Sequence, residues 1–391
     1  MTSDAVIVDA VRTPSGKGKP GGALSATHPV DLLAGVLTEL VVRTGIDPAA
    51  VEDVIGGCVS QGGEQSANIT RNAVLAAGFP EHVPATTVDR QCGSSQQAVH
   101  FAAQGVLAGA YDVVIACGVE SMSRVPMFSQ YAGADPYGPS VNRRYPPRLV
   151  EQGVAAELLS RRYDLSREEL DEFSAGSHQR AAAARDAGRF AGEVVPVGDQ
   201  ATDETIRDTT TAGGLAGLAP VFASDDVGAR FGPVDWKITA GNSSPLTDGA
   251  SAVLITSARR AEQLGLRPRA RFTSFAVLGD DPVLMLRAVV PATELALKRA
   301  GLSIGDIDAF EVNEAFAPVP LVWQRETGAD AARLNKHGGA IALGHPLGSS
   351  GTRLLTTLLG VLESDGGRYG LQTMCEGGGM ANATVVERVD G

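Results

Sequence analysis

Short apolar segments alternate with amphipathic segments along most of the chain, a pattern typical of strands that alternate with helices. Apolar runs at residues 5–11, 54–59 and 111–116 predict strands. Apolar positions recur with helical spacing through residues 29–42 and 68–77, which predicts helices there. The hydrophobic pattern therefore predicts a layered α/β protein.

Cys92 lies where a predicted strand passes into a predicted helix. A β-branched run ending at Val88 predicts a buried strand, Gly93 begins a turn with a helix N-cap, and residues 96–107 predict an alanine-rich helix. Unpaired N–H groups and a partial positive charge at a helix N-terminus lower the pKa of a nearby thiol. Cys92 is therefore a candidate nucleophile, and a buried cysteine that acts only as a small hydrophobe is the alternative.

The alternation stops in the middle of the chain. Residues 125–237 contain aromatic residues, prolines, paired arginines and one long polar helix predicted at 166–189. The alternation resumes at Ala252 and continues to the C-terminus. We therefore expect an inserted region between two α/β parts.

Three short segments recur in the same order at nearly the same sequence offset, which indicates an internal duplication. The pairs are RTGIDPAAVEDV (43–54) with RAGLSIGDIDAF (299–310), GSS (93–95) with GSS (348–350), and Cys117 with Cys375, each at a strand end. The sequence predicts a first α/β half at 1–120, an insert at 121–247 and a second half at 248–391.

The duplication has a consequence for chemistry. If the halves pack about a pseudo-twofold axis, their equivalent turns approach each other. Cys92 would then face the GHPLGSS turn that contains His345, and Cys375 would end the neighbouring strand. A nucleophile, a base and a second thiol would share one cleft.

Composition and charge exclude several classes of protein. The 391 residues are 43% hydrophobic and 20% charged, and the formal charge of −12 argues against nucleic-acid partners and anionic membrane surfaces. No segment is apolar for the length of a membrane span, and the N-terminus lacks the core of a signal peptide. The four cysteines have no metal-ligand spacing and suggest no disulfide framework, so we expect no metal site and a cytoplasmic location.

Several motifs together resemble one family over essentially the full chain. They are DRQCGSSQQA (89–98), TAGNSSPLTDGA (239–250), VNEAFA (312–317), GGAIALGHPLGSSGTR (338–353) and MCEGGGMANA (374–383). In this order they resemble the thiolases, which are acetyl-CoA acyltransferases. The resemblance implies a duplicated, five-layered αβαβα fold with an inserted loop domain. It also implies CoA-dependent cleavage of 3-ketoacyl-CoA, or the reverse condensation, through an acyl group on Cys92.

The resemblance assigns roles to five residues. Cys92 would accept the acyl group, and His345 would take its proton, with a pKa near working pH. Cys375 would act as the second acid and base. One oxyanion hole would consist of His345 and a water held by Asn313, and the other of the backbone N–H groups of Cys92 and Gly377.

Substrate contacts would come from the insert. By the resemblance, Arg207 would contact the adenine of CoA and Ser244 its pantetheine arm, so CoA thioesters are substrates and no cofactor is permanently bound. Gln152 stands where short-chain thiolases have a methionine that closes the acyl pocket. We therefore expect a degradative enzyme for medium-chain, branched or ring-bearing acyl groups. A short-chain acetoacetyl-CoA thiolase is the alternative.

Two other functions fit the sequence less well. A β-ketoacyl synthase would need a histidine or an asparagine where this chain has Cys375. A catalytically silent lipid-binding protein would not need the intact set of Cys92, Asn313, His345 and Cys375. The family also assembles through the segment around the nucleophile, so we expect a homodimer or a homotetramer.

Overall fold

The structure is a computed structural model that describes residues 4–389. Its strands are β1 (Ala5–Arg12), β2 (Gly16–Lys17), β3 (Asp53–Gly57), β4 (Ala85–Val88), β5 (Val113–Ser121), β6 (Thr247–Ser257), β7 (Ala270–Gly279), β8 (Ala309–Val312), β9 (Tyr369–Glu376) and β10 (Met380–Arg388). Its helices are α1 (Pro29–Thr44), α2 (Ile69–Ala76), α3 (Ser94–Leu107), α4 (Gly138–Arg144), α5 (Gln152–Arg162), α6 (Arg167–Asp186), α7 (Ala212–Leu215), α8 (Asp225–Phe231), α9 (Ala258–Leu264), α10 (Val289–Ala300), α11 (Pro318–Thr327), α12 (Ala340–Leu343) and α13 (Ser350–Asp365).

The strand order repeats the same pattern in both halves of the chain. The sheet runs β4-β3-β5-β6-β1-β7-β10-β9-β8, and β2 pairs with β6. In the part of the sheet that contains β1, β3 is parallel to β4 and β5, whereas β6, which follows the insert in the sequence, is antiparallel to β5 and β1. In the second half, β8 is parallel to β9, and β10 is antiparallel to β9 and β7. The two halves join through only two residue pairs, Val6 with Arg271 and Ile7 with Ala270.

Alternate residues of the central strands face different cores, which produces five layers. Val113, Ile115 and Cys117 of β5 pack with residues of α1 and α2, whereas Val114 and Ala116 pack with residues of α3 and α13. Helix α13 contacts strands of both halves of the sheet, and α10 packs on β7, β9 and β10 in a separate core. The order of layers is helix, sheet, helix, sheet, helix, which confirms the five-layered αβαβα fold.

The insert consists of helices and loops. Among the described residues, no strand lies between β5 and β6, where α4 to α8 occur. The predicted long polar helix is α6, and it begins after Ser166 because Ser166 and Glu169 form a reciprocal capping box. The division at residues 120 and 247 stays a prediction.

The strand before Cys92 differs from the prediction of a buried strand. Strand β4 lies at the edge of the sheet, where it pairs only with β3. Thr86 is exposed and the other residues of β4 are half-buried, because one side of an edge strand has no neighbour within the chain. The β-branched residues thus indicated a strand correctly but not its burial. No helix among the described residues is long and apolar enough to cross a membrane.

Candidate active site

Cys92 lies in the loop that joins β4 to α3, at the predicted junction of strand and helix. Its side chain is only 3% exposed. It packs in a small cluster with Val59, Met122, Leu347 and Met374. Leu347 and Met374 belong to the second half of the chain, so the nucleophile candidate lies at the junction of the two halves.

The expectation of a low thiol pKa at this helix N-terminus is wrong. Burial raises the pKa of Cys92 to about 12. A hydrogen bond from Gln152 acts in the opposite direction. Burial penalises the thiolate more than the Gln152 hydrogen bond stabilises it. Cys92 therefore rests as a neutral thiol and needs a base.

The two GSS turns approach each other as the internal repeat predicted. The N–H of Thr352, just after the second turn, donates to Ser95 Oγ of the first at 3.0 Å. Glu120 joins the two halves here, because one of its carboxylate oxygens accepts 2.9 Å hydrogen bonds from the N–H groups of both Val59 and Gly348. The turn that carries His345 is therefore fixed against the nucleophile loop.

Both ring nitrogens of His345 have partners that define its tautomer. Nδ1 lies 2.6 Å from Ser350 Oγ, and that hydroxyl donates its hydrogen to the carbonyl oxygen of Pro346 at 2.8 Å. Ser350 Oγ must therefore accept from Nδ1–H. Nε2 lies 3.4 Å from the side-chain nitrogen of Asn313, which can only donate. Nε2 is therefore the nitrogen without a hydrogen, and its lone pair can accept a proton as a general base requires.

The pKa of His345 does not lie near neutral pH as expected. Burial lowers its pKa to about 3, and the positive charge of Arg353 lowers it further. His345 is therefore a neutral imidazole over the physiological range. It can accept a proton, but the imidazolium that results is costly until negative charge develops nearby.

Asn313 follows β8 directly, at the end of the apolar strand as predicted. Its backbone N–H donates to the carbonyl oxygen of Thr373 on β9 at 3.0 Å. Its side-chain oxygen is buried, and no group among the described residues donates to it. A buried acceptor of this kind needs a hydrogen-bond donor, and a water molecule or a ligand can supply one.

Cys375 lies near the end of β9 and is only 1% exposed. Burial raises its pKa well above the ordinary value, and a thiolate at Cys92 would raise it further. Gly377 follows β9 and lies against the nucleophile loop, since a Cβ atom built on it would lie 2.9 Å from Gln91 Oε1. The two thiols and Gly377 therefore belong to one site.

The three residues assigned to substrate binding lie in different surroundings. Gln152, the first residue of α5, donates from Nε2 to Cys92 Sγ at 3.7 Å. Ser244 lies close to the Asn313 segment, because its N–H donates to the carbonyl oxygen of Ala315 at 3.0 Å. Arg207 is exposed on the insert, and its backbone N–H donates to His178 Nδ1 at 3.2 Å. The structure brings Gln152 to the nucleophile but leaves Arg207 at the surface.

Comparison with known families decides the relationship. The thiolase N-terminal domain matches residues 5–259, and the thiolase C-terminal domain matches residues 266–388. The chain belongs to the thiolase family. This thiolase is 48% identical to the steroid 3-ketoacyl-CoA thiolase FadA6 of Mycobacterium tuberculosis over all of its own length and 95% of that protein.

Two further relatives extend the comparison. A 3-ketoacyl-CoA thiolase of Erwinia tasmaniensis is 47% identical over 98% of this chain and 99% of that protein. The crystal structure of the Bacillus anthracis acetyl-CoA acetyltransferase superposes with a TM-score of 0.88 at 35% identity, and covers 99% of both chains. The sequence resemblance to thiolases is confirmed.

Two residues that support the site were missed in the sequence. Ser350 belongs to the repeated GSS turn, so its position beside His345 could have suggested a role. Glu120 lies near the end of the buried strand β5, and a carboxylate in a buried strand is unusual enough to be a signal. The partners of Glu120 could not be inferred, because Val59 and Gly348 are distant from it in the sequence.

Proposed function

We propose that this thiolase is a degradative enzyme that cleaves 3-ketoacyl-CoA with free CoA to acetyl-CoA and a shortened acyl-CoA. The observation that carries the proposal is the fixed tautomer of His345 on a turn that packs against the Cys92 loop, with Cys375 in the same buried site. A thiol, a neutral base and a second thiol are the groups that thioester exchange with carbon–carbon cleavage requires.

In the first half-reaction, Cys92 gives its proton to His345 Nε2 and its sulfur attacks the 3-keto carbon of the substrate. The bond between carbons 2 and 3 then breaks. The electron pair goes to carbon 2, and the Cys375 thiol supplies the proton that completes acetyl-CoA. The products are acetyl-CoA, an acyl group on Cys92 and a thiolate at Cys375.

In the second half-reaction, the Cys375 thiolate takes the thiol proton of incoming CoA. The CoA sulfur attacks the acyl group on Cys92, and the bond from that carbonyl carbon to Cys92 breaks. Cys92 recovers its proton from the imidazolium of His345. Cys375 thus regains from CoA the proton that it gave to carbon 2, and Cys92 regains its own through His345, so the cycle needs no other reactant.

Two sets of donors would stabilise the oxyanions of these steps. We assign His345 and a water held by Asn313 to one set, a choice supported by the unpartnered buried oxygen of Asn313. We assign the backbone N–H groups of Cys92 and Gly377 to the other. The close approach of Gly377 to Gln91 supports this second assignment.

For substrate binding, we assign the adenine of CoA to Arg207 and the pantetheine arm to Ser244. We assign the acyl group to a cleft of about 310 Å³ at the start of α5, lined by Val150, Val154, Phe222, Val227 and Phe231 among others. Glu151 and Val154, near Gln152 in the chain, line this cleft, and its apolar side chains suit a medium-chain, branched or ring-bearing group. The relative named for steroid substrates supports this choice.

The second candidate is a short-chain acetoacetyl-CoA thiolase. The structural similarity to the acetyl-CoA acetyltransferase of B. anthracis favours it. In that case Gln152 would close the acyl pocket as a methionine of similar length would.

The test is kcat/KM for CoA-dependent cleavage across a panel of 3-ketoacyl-CoA esters, from acetoacetyl-CoA to ring-bearing esters. We expect a maximum among the larger esters. Val227→Trp should reduce cleavage of these esters and leave acetoacetyl-CoA cleavage unchanged, because α8 forms one wall of the cleft. A maximum at acetoacetyl-CoA would favour the second candidate, and no cleavage of any ester would exclude a thiolase activity.

We also propose a cytoplasmic homodimer, or a tetramer built from such dimers. Leu75, Phe101 and Leu107 are each more than two-fifths exposed on α2 and α3, the helices that pack beside β4. An exposed edge strand next to exposed apolar side chains is typical of an interface. The four free cysteines fit a reducing compartment.

A further inference from the structure

Gln152 places a hydrogen-bond donor directly on the nucleophilic sulfur. Its Nε2 atom lies 3.7 Å from Cys92 Sγ, within the range for hydrogen bonds to the large sulfur atom. Among residues 4–389, no other side chain donates a hydrogen bond to this sulfur. The contact therefore links the insert to the reacting atom.

The surroundings of the sulfur make this donor important. Its packing partners Val59, Met122, Leu347 and Met374 are apolar and stabilise no charge. Its acidic neighbours Glu376 and Glu120 offer no positive charge to a thiolate, and ionisation of either one opposes it. Gln152 is the side chain that favours the anion.

The donor is also held in place by its helix. Gln152 is the first residue of α5, and Glu157 on the next turn accepts hydrogen bonds from the N–H groups of Lys237 and Ile238 at 3.0 Å and 2.7 Å, respectively. Glu157 is almost completely buried. The start of α5 is thus fixed to the segment that leads into β6, and the amide does not depend on a flexible loop.

We propose that Gln152 is a catalytic residue that stabilises the Cys92 thiolate by N–H···S hydrogen bonding, and is more than a wall of the acyl pocket. The role rests on the proposed thiolase function. As the Cys92 proton moves to His345, negative charge develops on the sulfur and the contact becomes charge-assisted. When the acyl–sulfur bond forms, that charge leaves the sulfur and the contact weakens. The donor therefore acts on the step that creates the nucleophile.

The test is the pH dependence of Cys92 alkylation by iodoacetamide, followed by mass spectrometry of the intact protein. Gln152→Met keeps the length of the side chain and removes the donor. We expect it to raise the apparent pKa of Cys92 by about one unit, which slows alkylation about tenfold at a pH below that pKa. Gln152→Glu should slow alkylation further, because it adds negative charge. Arg162→Gln, exposed at the far end of α5, serves as the control.

The outcomes separate this inference from the proposed function. Alkylation needs no turnover, so it reports on the thiol even if no ester is cleaved. If the alkylation pKa is unchanged in Gln152→Met and only KM and acyl preference change, Gln152 only shapes the acyl pocket. That result would overturn the inference. Active wild-type enzyme with a raised alkylation pKa in Gln152→Met would support both proposals.

Discussion

At the scale of single residues, Ser350 controls which nitrogen of His345 is free. Its hydroxyl accepts from Nδ1–H because its own hydrogen goes to the carbonyl oxygen of Pro346. Without it, the ring can rotate or adopt the other tautomer, and Nε2 is no longer reserved for the Cys92 proton. A base with the wrong tautomer does not remove a proton at the right atom.

Ser350→Ala should therefore reduce kcat/KM by roughly tenfold to a hundredfold, since general-base catalysis contributes on that order or more. The measurement is thiolytic cleavage at several pH values, with Ser364→Ala near the exposed end of the same helix as the control. An unchanged rate would mean that Asn313 alone orients the ring.

Cys375→Ser should separate acylation from carbon–carbon cleavage. Cys92 and His345 remain, so acetyl-CoA should still acylate the protein. Cleavage should fall by orders of magnitude, because a hydroxyl is a much weaker acid than a thiol. Stopped-flow or quench measurements of both steps provide the check. Full turnover by this variant would remove Cys375 from the mechanism.

Glu376 should make stability depend on pH. It is buried against Gly93 and neither carboxylate oxygen has a hydrogen-bond partner among the described residues, so burial raises its pKa well above the ordinary 4.5. The folded protein then holds a proton that the unfolded chain releases. Stability from this group is complete below about pH 4.5 and is lost as pH rises towards the folded pKa.

Glu376→Gln should consequently be more stable than the wild type at pH 8 by about 1–3 kcal/mol, with a smaller difference near pH 5. Urea denaturation at both pH values tests this, and Glu294→Gln on the exposed face of α10 is the control. A difference that does not change with pH would show that ionisation of Glu376 has no part in it.

The sequence predicted which residues would share the site but not their electrostatics. Cys92, Cys375, His345 and Asn313 lie in motifs, so they could be predicted. The expectations of a lowered pKa for Cys92 and of a pKa near neutral for His345 were wrong, because both pKa values depend on burial between two halves of the chain. The sequence around Cys92 or His345 does not show how far segments from elsewhere in the chain will exclude water from that side chain.

At the scale of elements, Glu120 at the end of β5 fastens the second-half turn to the first half. Its two oxygens accept from the backbone of Val59, Ser60 and Gly348 and from the side chain of Gln65. All four groups donate hydrogen bonds. A carboxylate has two oxygens to accept them, whereas an amide has only one.

Glu120→Gln should therefore destabilise the protein by about 1–3 kcal/mol, because its NH2 group would face backbone donors. It should also lower kcat, since the turn that carries His345 loses its anchor. Chemical denaturation and steady-state kinetics measure the two effects, with Glu262→Gln on the exposed face of α9 as the control. Wild-type stability in this variant would contradict the role of Glu120.

Most elements of the two halves were predictable because their apolar patterns are strong. Helix α5 was not predicted, since residues 153–160 are all buried and the segment has no polar face to create a period. The edge position of β4 was also missed. A β-branched run looks the same in an edge strand as in a central one.

At the scale of the whole molecule, the duplication explains where the site forms. Each half ends its strands at the same kind of turn, and the two GSS turns meet through Ser95 and Thr352. The internal repeat predicted this meeting. The connection of the halves through β1 and β7 could not be predicted, because two pairs of residues leave no distinctive pattern.

Assembly should depend on the exposed apolar surface beside β4. Phe101 is 43% exposed on α3, and Phe101→Glu should convert the dimer to a monomer at micromolar concentration because a buried charge at an interface is costly. Light scattering measures the mass. Val42→Glu, exposed on α1 on the outer layer, is the control and should stay dimeric. A monomeric wild type would contradict the proposed assembly.

Covalent transfer of the acyl group through Cys92 can be followed in the mass of the intact protein. After brief incubation with a 3-ketoacyl-CoA ester and without free CoA, the account predicts one shortened acyl group per chain. It also predicts that the group lies on Cys92, that Cys92→Ala carries none, and that added CoA removes it as acyl-CoA. Cleavage with no acyl-enzyme, or with the group on another residue, would contradict the account.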